Sequence, residues 1–242
     1  MQSFIRTGHF ALGSGSPCFL LCALILACGP LALASDQQLP YRTSPASEPA
    51  LSQLVTSLSN HIVDIPGGLG VSVRMPAALT SVRELSVLAR WELLRDLTLA
   101  CNSSSNEPSA AAVRALQTAD GLRSLTLQCC GYLPDGCLEA VGTLHQINSL
   151  TLVDAIPRNS SAYCLLTNAS SIRRLIISFP RSFGEADVKA LKELSQVRDL
   201  RLFRVKPPED LYRPLLSMPE VTNLLIVLPD SRVELKRSSG RQ

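Results

Sequence analysis

One pattern of apolar and polar positions occurs six times along the chain. Each copy reads apolar, two variable residues, apolar, one variable residue, apolar. The fourth positions of the copies are Leu97, Leu125, Leu150, Leu175, Leu200 and Leu224, at intervals of 28, 25, 25, 25 and 24 residues. Because the side chains of a strand alternate between its two faces, the end of each copy predicts a short β-strand. A period in the twenties indicates one structural unit that is repeated and stacked.

The segments between these strands have apolar residues three and four positions apart, which predicts a short amphipathic helix before a strand. The clearest examples lead into the third and the fifth copies: Leu138, Val141, Leu144 and Ile147, and Val188, Leu191, Leu194 and Val197. Gly121 precedes the second copy, and we expect it to end its helix in a left-handed conformation. An all-helical repeat of the same period is the alternative fold, but the Leu-Thr-Leu sequences inside three of the copies favour strands.

The pattern resembles that of the leucine-rich repeat family over roughly residues 70–230, and it is most similar to the cysteine-containing and ribonuclease-inhibitor-like subclasses. The resemblance implies an α/β leucine-rich repeat solenoid, with a curved parallel β-sheet on the concave face and helices on the convex face. Family members carry Asn or Cys three residues after the last strand leucine, and here only Asn102 and Cys130 match. The other copies have Ala155, Pro180, Val205 and Pro229 at that position, so the repeats are degenerate.

The two ends of the chain differ in composition from the repeats. Residues 1–34 contain an apolar core followed by Ala32-Leu33-Ala34, which predicts a signal peptide. The alternatives are a membrane anchor that is retained and a lipoprotein modified at Cys28. No helix is predicted after the sixth strand, so we expect that strand to have an exposed edge. We divide the chain into a signal peptide (1–34), a flexible leader (35–50), an N-terminal capping segment (51–75), the solenoid (76–230) and a polar tail (231–242).

Composition and charge exclude several classes of protein. The chain is 46% hydrophobic and 18% charged, which excludes a disordered or low-complexity protein. Its net charge of +3 argues against a strongly basic nucleic-acid-binding protein. The sequence holds no H-E-x-x-H, G-x-S-x-G or phosphate-loop motif and no paired C-x-x-C spacing. We therefore expect no enzymatic activity, no cofactor and no metal.

Export would allow disulfides and glycans. Cys101 and Cys129 occupy the same place in adjacent copies, so we predict that a disulfide can join them, and a Cys130–Cys137 bridge or unpaired thiols are the alternatives. Three N-x-S/T sequons are candidate glycosylation sites if the source is eukaryotic: Asn102, Asn159 and Asn168. The expected localisation is secreted, periplasmic or cell-surface, with membrane contact only if the N-terminal segment is retained.

The variable strand positions would form the concave face. In the early copies they are small and polar: Asp96, Thr98, Ser124, Thr126, Ser149 and Thr151. In the later copies arginine and aromatic residues predict a partner-binding patch: Arg174, Ile176, Phe179, Arg201, Phe203 and Arg204. The leading hypothesis is an exported, non-enzymatic leucine-rich repeat protein that binds another protein through this face. The alternative is a structural or self-associating subunit of a surface or envelope assembly, a homo-oligomer joined through its C-terminal strand.

Overall fold

A computed structural model describes residues 7–8, 49–101, 109–133, 136–157, 160–178, 183–204, 213–218, 220–227 and 232–236. Within these ranges the fold is mixed α/β, with one sheet of ten strands. The strands are β1 (Thr7–Gly8), β2 (Ile62–Ile65), β3 (Gly70–Met75), β4 (Leu94–Cys101), β5 (Ser124–Leu133), β6 (Ser149–Pro157), β7 (Arg174–Ser178), β8 (Asp199–Phe203), β9 (Asn223–Val227) and β10 (Arg232–Lys236). Their order across the sheet is β1-β10-β9-β8-β7-β6-β5-β4-β3-β2.

The central part of the sheet is parallel and follows the order of the chain. Each strand from β3 to β9 pairs in parallel with the next one. The six strands predicted from the repeated pattern are β4 to β9, and that prediction is confirmed. Leu125 is the Cα partner of Leu97 on one side and of Leu150 on the other, so equivalent residues of successive repeats lie side by side.

Short helices lie between the strands, as the apolar spacing predicts. The α-helices are α1 (Pro49–Ser57), α2 (Val82–Leu88), α3 (Ala110–Arg114), α4 (Cys137–Gly142) and α5 (Glu185–Lys192). The 3₁₀ helices are Ser59–His61, Ala77–Leu79, Ala115–Thr118, Ser160–Asn168 and Arg213–Ser217. Serine begins two of the α-helices, because the Ser81 and Ser109 hydroxyls accept hydrogen bonds from free backbone N–H groups of the first turn.

The repeated leucines form the centre of a single apolar core. Leu125, Leu150 and Leu175 are each 0% exposed, and they belong to the same buried cluster as Leu116 and Leu191 from the helical segments. Neighbouring strands are about 4.8 Å apart, so a side chain of the same size in each repeat gives layers of the same thickness. This geometry explains why one residue type is used so often.

At the N-terminal end of the sheet, the predicted capping segment consists of helix α1 and the antiparallel pair of β2 and β3. Leu51, Leu54 and Leu58 are buried, as their helical spacing predicts. These residues extend the core beyond the first strand of the repeated pattern, so the core begins before residue 76.

At the C-terminal end the structure differs from the sequence-based expectation. The segment 231–242, predicted to be a polar tail, contains β10, which pairs antiparallel with β9 along its length. The edge of β9 is therefore not exposed. The sequence Arg-Val-Glu-Leu-Lys of β10 alternates polar and apolar residues, which is the pattern of a strand. β10 also pairs with β1, which lies within the predicted signal peptide. In the described part of the chain, no helix has the length and apolarity needed to cross a bilayer.

Candidate protein-binding face

The strand residues that do not point into the core form what we call the open face of the sheet. Its first row, from β3 to β9, is Ser72, Asp96, Ser124, Ser149, Arg174, Asp199 and Asn223. Its second row is Arg74, Thr98, Thr126, Thr151, Ile176, Arg201 and Leu225. All of these side chains are half-buried or exposed, so they are available to a partner.

The half of the open face near β3 is small and polar. Thr98, Thr126 and Thr151 are successive Cα partners in the second row. The Arg74 guanidinium crosses the intervening strand β4, and its Nη2 donates a hydrogen bond of 3.2 Å to Oε1 of Gln128 on β5. Burial raises the pKa of the Asp96 carboxyl. This half offers hydroxyl groups but little apolar area.

The half near β9 is organised around one carboxylate. The Asp199 side chain is 15% exposed and accepts hydrogen bonds from three neighbours. Arg174 Nε donates to Oδ2 over 2.8 Å, and Arg201 donates from Nε to Oδ1 and from Nη2 to Oδ2, both over 3.0 Å. Asn223 Nδ2 donates to Oδ1 over 2.9 Å. The cluster joins β7, β8 and β9 and carries a net charge of +1, because two guanidinium groups share one carboxylate.

Most of the predicted patch lies in this half of the face. Three successive register partners of the second row lie here, on β7, β8 and β9: Ile176, Arg201 and Leu225. Phe203 and Val227 are partners at the next outward position of β8 and β9. Arg204 follows with a φ of 54° and donates its backbone N–H to the Val227 carbonyl over 2.6 Å. Phe179, also predicted for the patch, lies outside the described residues.

Asp199 and Asn223 were missing from the predicted patch, although both contact its arginines. Their signal was present, since Asp199 follows Arg174 by 25 residues and Asn223 follows Asp199 by 24, which is one repeat in each case. Residues one repeat apart are neighbours in the sheet, and opposite charges at neighbouring positions pair. The carboxylate could therefore have been assigned to the patch from the sequence.

A second set of arginines has a structural task at the starts of the strands. Arg95 Nη1 donates to the Glu92 carbonyl over 2.7 Å, and Arg123 Nη1 donates to the Asp120 carbonyl over 2.7 Å. Arg173 Nη1 donates to the Gln196 carbonyl of the following repeat over 3.0 Å. These guanidinium groups bind turn carbonyls at the strand starts rather than carboxylates of the open face.

Gly121 lies against Arg95 of this set, and the prediction that it adopts a left-handed conformation is wrong. Positive φ values occur at Gly67, Gly68, Gly70 and Gly136 but not at Gly121. A Cβ at Gly121 would approach the Leu94 carbonyl oxygen to 2.8 Å and would collide with the Arg95 guanidinium. Glycine is required there by close approach of the preceding repeat rather than by backbone conformation.

The two cysteines of the predicted disulfide lie in the expected register. Cys101 and Cys129 are Cα partners on β4 and β5. Among the described residues, Cys129 and Cys137 are buried and Cys164 is exposed. Of the sequons, Asn168 is exposed at the end of the 3₁₀ helix Ser160–Asn168, whereas Asn102 and Asn159 lie outside the described residues.

Two buried side chains of the helices, Tyr163 and Asp187, have shifted pKa values. Burial raises the pKa of Tyr163, and the nearby Asp187 raises it further. Burial also raises the pKa of Asp187, while the Gly184 N–H, which donates to its Oδ2 over 2.9 Å, acts in the opposite direction. An open depression of about 630 Å³ beside His145 and Gln146 lies away from the open face. Within the described ranges no group of three His, Cys, Asp or Glu side chains could hold a metal ion.

Comparison with known proteins does not identify the chain. Neither protein-family models nor curated proteins give a match. Among solved structures, the chain is similar to an internalin from Listeria monocytogenes, with 14% identity and a TM-score of 0.21. The similarity covers 60% of this chain and 65% of the internalin chain, which is less than two thirds of that protein. A TM-score of 0.21 is too low to assign a fold or a function to the chain.

Proposed function

We propose that this chain is a leucine-rich repeat solenoid that binds another protein through the open face of its sheet, which would be the concave face. The observation that carries the proposal is the cluster of Arg174, Asp199, Arg201 and Asn223, which fixes charged groups across three adjacent strands. Arginines held in place by a carboxylate lose less conformational entropy on binding than free ones. They are also among the residues enriched at the centres of interfaces.

Apolar side chains beside the cluster support a protein partner. Ile176 and Leu225 flank Arg201 in the second row, and Phe203 and Val227 continue outward from it, all of them half-buried. A nucleic acid would need a basic surface with bases stacked on exposed aromatics or phosphates on many cations. Mixed arginine, aromatic and aliphatic residues are instead typical of protein interfaces.

We further propose that the protein is exported and acts without enzymatic activity or a cofactor. The proposal rests on the apolar segment and small-residue sequence within residues 1–34 and on the lack of a catalytic motif in the sequence. Cell fractionation and amino-terminal sequencing of the mature protein test export. Recovery of the full chain in the cytoplasm would contradict it.

Affinity purification from the source cells tests binding, using the full chain and the variant Leu225→Lys. The substitution places a charge in the second row of the open face without removing a core residue. The matched control is Val82→Lys, a change of the same kind at an exposed position on helix α2. We expect a partner that the wild type and the control recover and that Leu225→Lys loses while circular dichroism shows an unchanged fold. Equal recovery by all three would refute binding through this half of the face.

The alternative is a self-associating subunit, but the edge strand through which it would associate is paired in the structure. That hypothesis used an exposed edge at β9, and β10 occupies this edge. Sedimentation of the purified chain over a range of concentrations distinguishes the two functions. A dimer that Leu225→Lys dissociates would favour self-association through the same face, and a monomer at all concentrations would exclude it.

A further inference from the structure

We infer that Arg174 and Arg201 together bind a carboxylate of an acidic, partly apolar segment of the partner protein. The inference rests on the proposed function and names the chemistry that the open face would recognise. It depends on the local charge, on the free nitrogens of the two guanidinium groups, and on the apolar residues beside them.

The local charge of β7 and β8 is positive although the whole chain is nearly neutral. On the open face these strands carry Arg174 and Arg201 against Asp199, and Arg173 and Arg198 lie directly before the two strands, which is a net charge of +3. In contrast, β4 and β5 carry Asp96 on the open face, with Arg95 and Arg123 at the strand starts, which is a net charge of +1. An acidic segment is therefore attracted to the C-terminal half of the open face rather than to the half near β3.

The guanidinium groups keep nitrogens for a second carboxylate. Arg174 contacts Asp199 through Nε, and within the described part of the chain its two Nη groups make no hydrogen bond. Arg201 uses Nε and Nη2 for Asp199, and no hydrogen bond joins its Nη1 to another described residue. The Arg174 side chain is 53% exposed and that of Arg201 is 33% exposed, so both can be reached from solvent. Asp199 holds the guanidinium groups of Arg174 and Arg201 in position. A second carboxylate can therefore accept hydrogen bonds from both groups without first ordering the two side chains.

The rows of the face also determine the spacing of the segment. Arg174 lies in the first row and Ile176 two residues further along the same strand, in the second row. A partner segment that lies extended along β7 would place an acidic residue over Arg174 and, two positions on, an apolar residue over Ile176. We therefore expect an acidic residue and an apolar residue separated by one residue, in an extended conformation.

A defined peptide tests the inference without knowledge of the natural partner. The probe is fluorescein-labelled Glu-Ser-Leu-Ser repeated three times, and binding is followed by fluorescence anisotropy with the full chain. We expect Arg174→Gln and Arg201→Gln each to weaken binding about tenfold, as the loss of a charge-assisted hydrogen bond predicts. Arg83→Gln, at an exposed position on helix α2, removes the same charge far from the face and is expected to leave binding unchanged. Arg174→Lys, which keeps the charge but not the planar group, is expected to weaken binding by a smaller factor.

Three results would overturn the inference. A probe with Gln in place of Glu that binds equally well would show that no carboxylate is recognised. Equal weakening by Arg83→Gln would show that net charge alone matters. Tighter binding of an oligothymidylate than of the peptide would assign the face to nucleic acid. If the natural partner is lost on Leu225→Lys while the Glu and Gln probes bind alike, protein binding stands and the carboxylate inference fails.

Discussion

Two aspartates occupy the first row of the open face, and we predict that removing their charges has opposite effects on stability. Asp96 lies between Ser72 and Ser124, whereas Asp199 lies between Arg174 and Asn223. The carboxylate at 199 is paired, and the one at 96 is half-buried beside serines. Substitution by Asn keeps the shape of each side chain and removes the charge, so the two variants form a matched pair.

The expected loss for Asp199→Asn follows from its three partners. The pair with Arg174 contributes little, about 0–0.5 kcal/mol, because that guanidinium side chain is 53% exposed and screened by solvent. The two-nitrogen contact from Arg201 and the amide hydrogen bond from Asn223 contribute about 0.5–1 kcal/mol each. One acceptor oxygen survives the substitution. We therefore predict a decrease of about 1–2 kcal/mol in the free energy of unfolding.

For Asp96→Asn we predict a gain of less than about 1 kcal/mol at neutral pH. Burial raises the pKa of this carboxyl, which means that folding disfavours its charged form. The loss of stability caused by the buried charge of Asp96 is therefore present at pH values above the raised pKa of the folded state. It is absent at pH values below the pKa of the unfolded state. The advantage of Asn over Asp at position 96 should therefore disappear as the pH falls to about 3.

Urea denaturation of the full chain, followed by circular dichroism, measures both variants against the wild type. The midpoint should decrease for Asp199→Asn and increase for Asp96→Asn at pH 7, with unchanged slopes. If both variants shift the midpoint in the same direction, the assignment of one paired and one desolvated carboxylate to the same row is wrong. A gain for Asp96→Asn that persists at acid pH would refute desolvation as its cause.

Three further variants test the packing of the repeats by the same urea assay. Gly121→Ala should cost about 1–3 kcal/mol, because its Cβ would lie 2.8 Å from the Leu94 carbonyl oxygen, and a wild-type midpoint would contradict that contact. Leu150→Ala should cost about 2–5 kcal/mol, since this residue is 0% exposed at the centre of the core, and a loss below 1 kcal/mol would contradict the stacking. Arg173→Gln should cost about 0.5–1.5 kcal/mol through the hydrogen bond to the Gln196 carbonyl, and an unchanged midpoint would refute that role.

The strands could be predicted from the sequence because the same physical constraint acts on each of them. Leu125, Leu150 and Leu175 must fill equal layers between a sheet and its helices, so apolar residues recur at equal intervals. Helix positions follow from the same constraint on the opposite side of the core. The strand β10 was not predicted in this way, since it pairs antiparallel outside the period and its alternating sequence is only five residues long.

The binding face was predictable in part. Alternation along each strand places Arg174, Ile176 and Arg201 on the side away from the core, and the structure has them there. What alternation does not show is which of these side chains bind one another. That requires reading across the repeats, where a spacing of 25 residues brings Asp199 beside Arg174. The carboxylate changes the interpretation of the arginines from isolated surface charges to a fixed pair.

Adjacent arginines at the start of β7 show why composition alone does not locate a binding site. Arg173 and Arg174 are both exposed, and they differ only by one position along the chain. Arg173 precedes the strand and binds the Gln196 carbonyl of the next repeat, whereas Arg174 is the first strand residue and binds Asp199 on the open face. Loss of the first should lower stability with little effect on a ligand, and loss of the second should weaken a ligand with little effect on stability. An arginine in this fold is thus a structural or a binding residue according to its position relative to the strand start, which the repeated pattern defines.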